Sequence, residues 1–187
     1  MVTLILQNGL SFYLPKISIY TKYFTLSIYM NNVIDKLKAL GIKFELVEHP
    51  AIYTIEEMNS LNLPNSEKIA KNLFIRDDKK RNYYLIVVKE DRHINLKELR
   101  ELITSRALSF CSENDLNKFL SLEKGAVTPL GVINNKDSNV QVFIDSYFRN
   151  SIIGVHPNVN TSTVFLETYD LIDVIKNCEN EVNYIDF

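Results

Sequence analysis

The sequence predicts a mixed α/β domain with a largely antiparallel central sheet flanked by helices. Two observations carry this prediction. The runs Leu73–Arg76 and Tyr83–Lys89 are rich in β-branched and aromatic residues, and the polar stretch Asp77–Asn82 separates them as a hairpin turn would. Segments with helical spacing, each preceded by Asn, Ser or Thr, alternate with further short β-rich runs.

Taken in order, Asn31 or Asn32 can cap a helix whose apolar face is Val33, Ile34, Leu37 and Leu40, with Gly41 as its stop. Ile42–Val47 alternates as a strand does. Thr54-x-x-Glu57 has the form of a capping box opening a short helix toward Leu61. After the hairpin, Asn95 can cap a helix through Leu96, Leu99 and Ile103, and Ser112 another through Leu116 and Phe119. Val140–Asp145, Ile152–Val155 and Ser162–Glu167 read as three more strands. Thr168 can cap a final helix carrying Leu171, Ile172 and Ile175 on one face.

At 187 residues the chain is the size of one domain, since single cores span roughly 100–200 residues. A hydrophobic fraction of 46% and a net charge of −2 exclude a disordered tail and argue against a general nucleic-acid coat. Two cysteines, Cys111 and Cys178, make no disulfide framework, and neither has the spacing of a metal knuckle. Free thiols in a reducing, cytoplasmic setting are expected.

Residues 1–29 stand apart. They carry Lys16 and Lys22, no acidic residue, and four of the ten tyrosines. Their first cation comes too late for a secretory signal, and no run of about 18 apolar residues occurs to span a membrane. They read as an extension, either untranslated with Met30 as the true start or weakly ordered, ahead of a single domain over 30–187. Charge is also segregated within that domain. Residues 68–92 hold eight cations against four acids, whereas residues 93–187 hold eight against thirteen. A basic hairpin on an acidic domain can meet phosphates.

Much of the common catalytic vocabulary is missing: there is no GxGxxG, P-loop, GxSxG or HExxH. His49, His93 and His156 share no metal-ligand spacing, so neither a metal nor a cofactor is expected. Two of them precede proline, at His49-Pro50 and His156-Pro157, which places each in extended backbone. Gly125-Ala126-Val127-Thr128-Pro129-Leu130-Gly131 combines glycines with a stiffening proline, as a rigid pocket wall would. Lys71 shares the strand face of Leu73 and Ile75, with Asn72 beside it.

Four segments in this order resemble one family. They are Glu48-His49-Pro50-Ala51-x-Tyr53-Thr54, Lys71-Asn72-Leu73-Phe74-x-Arg76-Asp77, Gly125-x-Val127-Thr128-Pro129-x-Gly131 and His156-Pro157-x-x-Asn160-x-x-Thr163. Together they resemble the YbaK/ProX family of aminoacyl-tRNA editing domains, particularly its ProX-type prolyl-tRNA deacylases, from about Met30 to near the C-terminus. The resemblance implies a partly barrel-like sheet and hydrolysis, in trans, of alanine wrongly attached to proline tRNA. It also implies a partner in the acceptor end of that tRNA and, with it, prolyl-tRNA synthetase. Neither DNA nor a membrane is an expected partner. Cysteine or another small residue is the alternative substrate, and a non-catalytic tRNA- or amino-acid-binding regulatory module the alternative role.

By the same resemblance, Lys71 matches the lysine of the substrate cleft, Asn72 its polar neighbour, and His156 the histidine on the facing segment. Gly125, Ala126, Val127, Thr128, Pro129 and Gly131 match the loop that shapes the amino-acid pocket, and Asn160 belongs to the facing turn. An aminoacyl ester is already activated, so its hydrolysis needs a positioned water and stabilisation of the oxyanion more than a dedicated nucleophile. Lys71 is expected to anchor the terminal phosphate or ester region, and amides near Gly125 to polarise the carbonyl. A pocket beside Gly125–Pro129 would admit alanine and exclude proline by size, a discrimination that binding to the synthetase alone supplies weakly.

Overall fold

The computed structural model describes residues 28, 30–51, 65–137 and 139–187. The capping box at Thr54 and nearly all of the expected extension lie outside them.

The chain begins its described course with helix α1, over residues 30–39, which buries Val33, Ile34 and Leu37. Asn31 and Asn32 sit inside this helix rather than capping it, because helical backbone already occurs at Ile28. Leu40 lies past the last turn and is exposed. Gly41 ends the helix at φ +70°, with Gly41 N–H bonded to the Lys38 carbonyl and Ile42 N–H to that of Leu37. This pair of bonds is a Schellman closure, which a residue at positive φ makes possible.

Strand β1 (Phe44–Glu48) follows, then β2 (Ala70–Asp77) and β3 (Tyr83–Lys89). β2 and β3 form the expected hairpin, in register from Ala70↔Lys89 to Arg76↔Tyr83. Asp77 organises its turn: the buried carboxylate accepts from the backbone of Lys79 and Arg81 and from the Asn82 side chain, at 2.7–3.0 Å. Helix α2 (Leu96–Leu102) starts at Asn95, whose side chain accepts from Lys97 N–H. A three-residue strand β4 (Leu108–Phe110) precedes helix α3 (Glu113–Leu120). Ser112 and Asp115 close a reciprocal capping box at the start of α3, and Arg76 pairs with Asp115 at 3.0 Å to pin that end to β2.

The remaining strands are β5 (Val140–Asp145), β6 (Ile152–Val155), β7 (Ser162–Glu167) and β8 (Val182–Ile185), with helix α4 (Thr168–Asn177) between the last two. Thr168 is the first helical residue and not the cap. Its hydroxyl instead donates to the Ser151 carbonyl at 2.7 Å.

The strands form two sheets, ordered β1-β7-β6 and β4-β2-β3-β5-β8. Pairings in the first, and those of β2 with β3 and β4, are antiparallel; β3–β5 and β5–β8 are parallel. The parallel pairs are joined through helices, as parallel neighbours must be. Among the described residues the strands do not close a barrel. The main core lies on the β2–β3 face that carries Phe74, Leu85 and Val87, under α1, α3, α4 and the three-stranded sheet. A smaller core with Ile75, Ile86 and Val88 lies on the other face, under Leu99 of α2. Covered on both faces, β3 has an almost unbroken apolar sequence.

Candidate functional site

The two sheets meet and part along the outer edge of β2. Just before that strand, Ile69 makes a parallel bridge to Gly154 of β6. Farther along, β2 pairs with β4 from Ile75, and Cys111 N–H donates to the Phe74 carbonyl at 3.0 Å. Asn72 lies between these attachments, at the fork. Gly154 is there because a methyl group would meet the Phe165 ring at 2.7 Å.

Loop 125–131 fills the fork from the side. Asn72 Nδ2 donates to the Val127 carbonyl at 3.1 Å, while Asn72 Oδ1 is buried with no partner among the described residues. Gly125 turns the loop at φ +89°. Thr128 is fully buried. Its hydroxyl donates to the His156 carbonyl at 2.7 Å and accepts from Leu130 N–H, starting the 3-10 turn Pro129–Asn134. Pro129 and Gly131 are buried within that turn. A methyl group on Gly131 would come within 2.8 Å of Leu122 Cδ1, so this glycine serves core packing. Ala126 is also buried, and Val127 is the loop residue that lines the open cleft.

His156 follows β6 directly. Its Nδ1 lies 2.9 Å from the Ser162 carbonyl, an acceptor only, so Nδ1 carries the proton and Nε2 keeps the lone pair of the neutral ring. Burial pushes this imidazole below its ordinary pKa and nearby His49 adds to that, against the opposing effect of the Ser162 bond. The His49 and His156 ring centroids are 6.2 Å apart. His49 donates from Nδ1 to the Pro50 carbonyl and accepts at Nε2 from the Thr163 hydroxyl, at 2.8 and 3.0 Å. Three segments distant in sequence, at 49–50, 125–131 and 156–163, are thereby tied together.

Lys71 leaves the strand on the other face. Its cross-strand partner is Val88, in the smaller core, whereas Asn72 opposes Val87 in the larger one. Lys71 Nζ donates to the Arg92 carbonyl. Burial lowers its pKa, partly offset by Asp91 and Glu90. Arg92 is itself fixed, donating to Asp145 at 2.8 Å from Nε and to the Phe187 carbonyl at 3.2 Å. Among the described residues, the hydrogen bond of Lys71 goes to Arg92 and not to loop 125–131.

The basic stretch is divided rather than gathered into one patch. Arg76 pairs with Asp115, Lys89 with Asp91 and Arg92 with Asp145, while Lys79, Lys80 and Arg81 stand exposed at the hairpin tip.

A cleft of about 390 Å³ opens beside Asn72, lined by Phe74, Phe110, Cys111, Lys124 and Val127 among others. Phe110 and Lys124 were not indicated by the sequence, since a three-residue strand shows no period and Lys124 looks like any surface lysine. Cys111 is no nucleophile: burial, with the Asp115 charge, pushes its thiol up to about 12. In the β6–β7 turn, Asn160 is half-buried. Asn158 is buried at φ +63°, with both amide atoms unpartnered among the described residues. The H-P-x-x-N spacing points to Asn160 and carries no signal for Asn158.

Residues 49–174 match the family model described as the aminoacyl-tRNA editing domain. The chain is 46% identical over 145 residues to the prolyl-tRNA editing protein ProX of Acetoanaerobium sticklandii, covering 77% of this chain and 88% of that one. It is 33% identical over 162 residues to prolyl-tRNA synthetase associated domain-containing protein 1 of Bos taurus, covering 82% and 92%. A lower similarity, 26% over 122 residues, joins it to one fifth of the proline–tRNA ligase of Caldicellulosiruptor bescii. The fold is shared with a crystal structure described as that of a candidate trans-editing enzyme for prolyl tRNA synthetase. There the TM-score is 0.63 at 16% identity, over 84% of this chain and 96% of that one.

Proposed function

As the chain belongs to the aminoacyl-tRNA editing domain family, we propose that it hydrolyses misacylated proline tRNA in trans, with the alanine ester as substrate. The observation that carries this reading is a pair of hydrogen bonds, Asn72 to Val127 and Thr128 to His156, which make three of the motif segments one unit at the fork. The ProX relative is named for prolyl-tRNA editing, and the ligase similarity supports action alongside a prolyl-tRNA synthetase.

The chemistry is one of positioning. The ester is already activated, so a positioned water serves as the nucleophile in this reading, and burial keeps the Cys111 thiol in its neutral form. Backbone amides near Gly125 polarise the ester carbonyl as charge develops on it. His156 Nε2 orients the amino acid or the water through its lone pair. The orphaned Asn72 Oδ1 accepts a hydrogen bond from the substrate, whose amino group is a suitable donor. Lys71 adjoins Asn72 in β2 but leaves on the other face, so it supplies the cation for the ester region only by releasing the Arg92 carbonyl. Val127 and its neighbours bound the acyl site by size, accepting alanine and refusing proline.

The test is deacylation of proline tRNA charged with alanine, cysteine or proline. Cleavage of the alanine ester with the proline ester spared is expected. Turnover of the cysteine ester alone would reassign the substrate, and no turnover on any of the three would overturn the deacylase reading.

A further inference from the structure

We propose that the cleft beside Asn72 is a nucleoside subsite in which the Phe110 ring stacks on the terminal base of the tRNA and Lys124 meets the adjoining phosphate. This rests on the deacylase reading and adds what holds the non-acyl end of the substrate.

The first observation is the state of the ring. Phe110 is 59% exposed at the end of a short edge strand. Among the described residues, the rings of Phe119, Tyr147, Tyr184 and Phe187 each carry a Lys or Arg over one face. Phe74, Tyr83, Tyr84, Phe143 and Phe148 each pack against another ring. Among the described residues Phe110, like Phe44, Phe165 and Tyr169, has neither kind of partner, and of these four it is the one that lines the cleft beside Asn72. Exposed aromatic faces are what single-stranded nucleic acid stacks on, whatever the base.

The second observation is the uncovered edge. Along an antiparallel strand the backbone polar groups of alternate residues point the same way. The Phe74 carbonyl points toward β4, where Cys111 takes it, so the backbone N–H and C=O of Asn72 point toward that side too. β4 pairs only from Ile75 onward, and the bridge to β6 is at Ile69, so among the described residues no strand covers Asn72. A donor and an acceptor are thus presented together at the cleft, the complement of a base edge.

Charge orients the ligand. Lys124 and Glu113 both line the cleft. The carboxylate can accept from an exocyclic amine and repels phosphate, which leaves the phosphate to the Lys124 side. The volume of about 390 Å³ suits a small ligand. The acyl group of the substrate is esterified to the ribose that bears this base, so the base site must border the acyl site. Asn72 and Val127 belong to both.

The chain contains no tryptophan, so Phe110→Trp places a single fluorescent reporter at the platform. Titration of that variant with the trinucleotide CCA should quench the indole saturably. In calorimetric titrations, Phe110→Leu, which keeps apolar volume but loses the flat ring, should weaken CCA binding by about tenfold relative to wild type. Lys124→Ala should reduce the salt dependence of binding. On alanine-charged proline tRNA, Phe110→Leu should raise KM by about the same factor with little change in kcat. No quenching, or equal CCA affinity in Phe110→Leu and wild type, would overturn the subsite. If the wild type leaves the charged tRNA intact, the deacylase reading falls, and the CCA titrations still decide the subsite.

Discussion

The Thr128 hydroxyl donates to the His156 carbonyl at 2.7 Å, holding loop 125–131 against the strand end that carries the imidazole. The hydroxyl is fully buried and also accepts from Leu130 N–H, so it has no solvent to fall back on. Thr128→Val keeps the shape and removes both bonds, leaving a carbonyl underused. A loss of about 1–3 kcal/mol is expected in urea unfolding. Deacylation should fall with it even at temperatures where the variant is fully folded; unchanged kcat/KM would show that the loop position does not matter to catalysis.

Lys71 and Asn72 test different things although they are adjacent, because they leave β2 on opposite faces. Lys71→Met retains the apolar stem and loses the charge. Its expected effect is a drop in kcat/KM on the order of a hundredfold with little change in stability. Asn72→Leu removes the bond to Val127 and should lower stability as well as activity. Unfolding midpoints and deacylation rates measured side by side on both variants check the contrast.

His156 confers a pH dependence whose direction is determined. Burial holds its folded pKa below the ordinary 6.5. Between that lowered value and 6.5 the unfolded chain binds a proton that the folded chain does not. Stability therefore rises with pH through the window and is lost on acidification. His156→Asn retains a donor near the Ser162 carbonyl and cannot titrate. Urea unfolding at a series of pH values should give a flatter profile for this variant below pH 6.5; a profile parallel to wild type would assign the slope to other groups.

Gly131 separates packing from recognition. An added methyl group would press on buried Leu122 and approach Leu120 Cβ at 3.3 Å. Gly131→Ala should cost about 1–3 kcal/mol. KM for the charged tRNA should stay unchanged in the folded variant. A raised KM with normal stability would place Gly131 at the ligand instead.

Much of the local structure was legible in the residues. The strands Tyr83–Lys89, Val140–Asp145, Ile152–Val155 and Ser162–Glu167 occur as the apolar runs predict. Asn95 and Ser112 cap the helices they precede. These are short-range effects: side-chain alternation, a cap oxygen two or three residues from its N–H, and the backbone freedom of glycine. Thr168 was misread because its hydroxyl has two uses, and the tertiary partner, the Ser151 carbonyl, prevails. β4 and β8 give no such signal because a polar residue, Ser109 or Asn183, interrupts a span of three or four residues, whereas the equally short Ile152–Val155 has no polar side chain.

The sequence by itself determined most of the described strands and helices, the hairpin turn, and which four segments stand as motifs. Only the tertiary structure decided that the strands divide into two sheets, that β3, β5 and β8 run parallel, and that Asn72 lies where the sheets diverge. It also brought His49 to His156, and set Phe110 and Lys124 on one cleft. The physical reason is range. Backbone preference and periodicity act over a few residues, whereas the choice of strand partner depends on which apolar faces can be buried against one another across the whole chain.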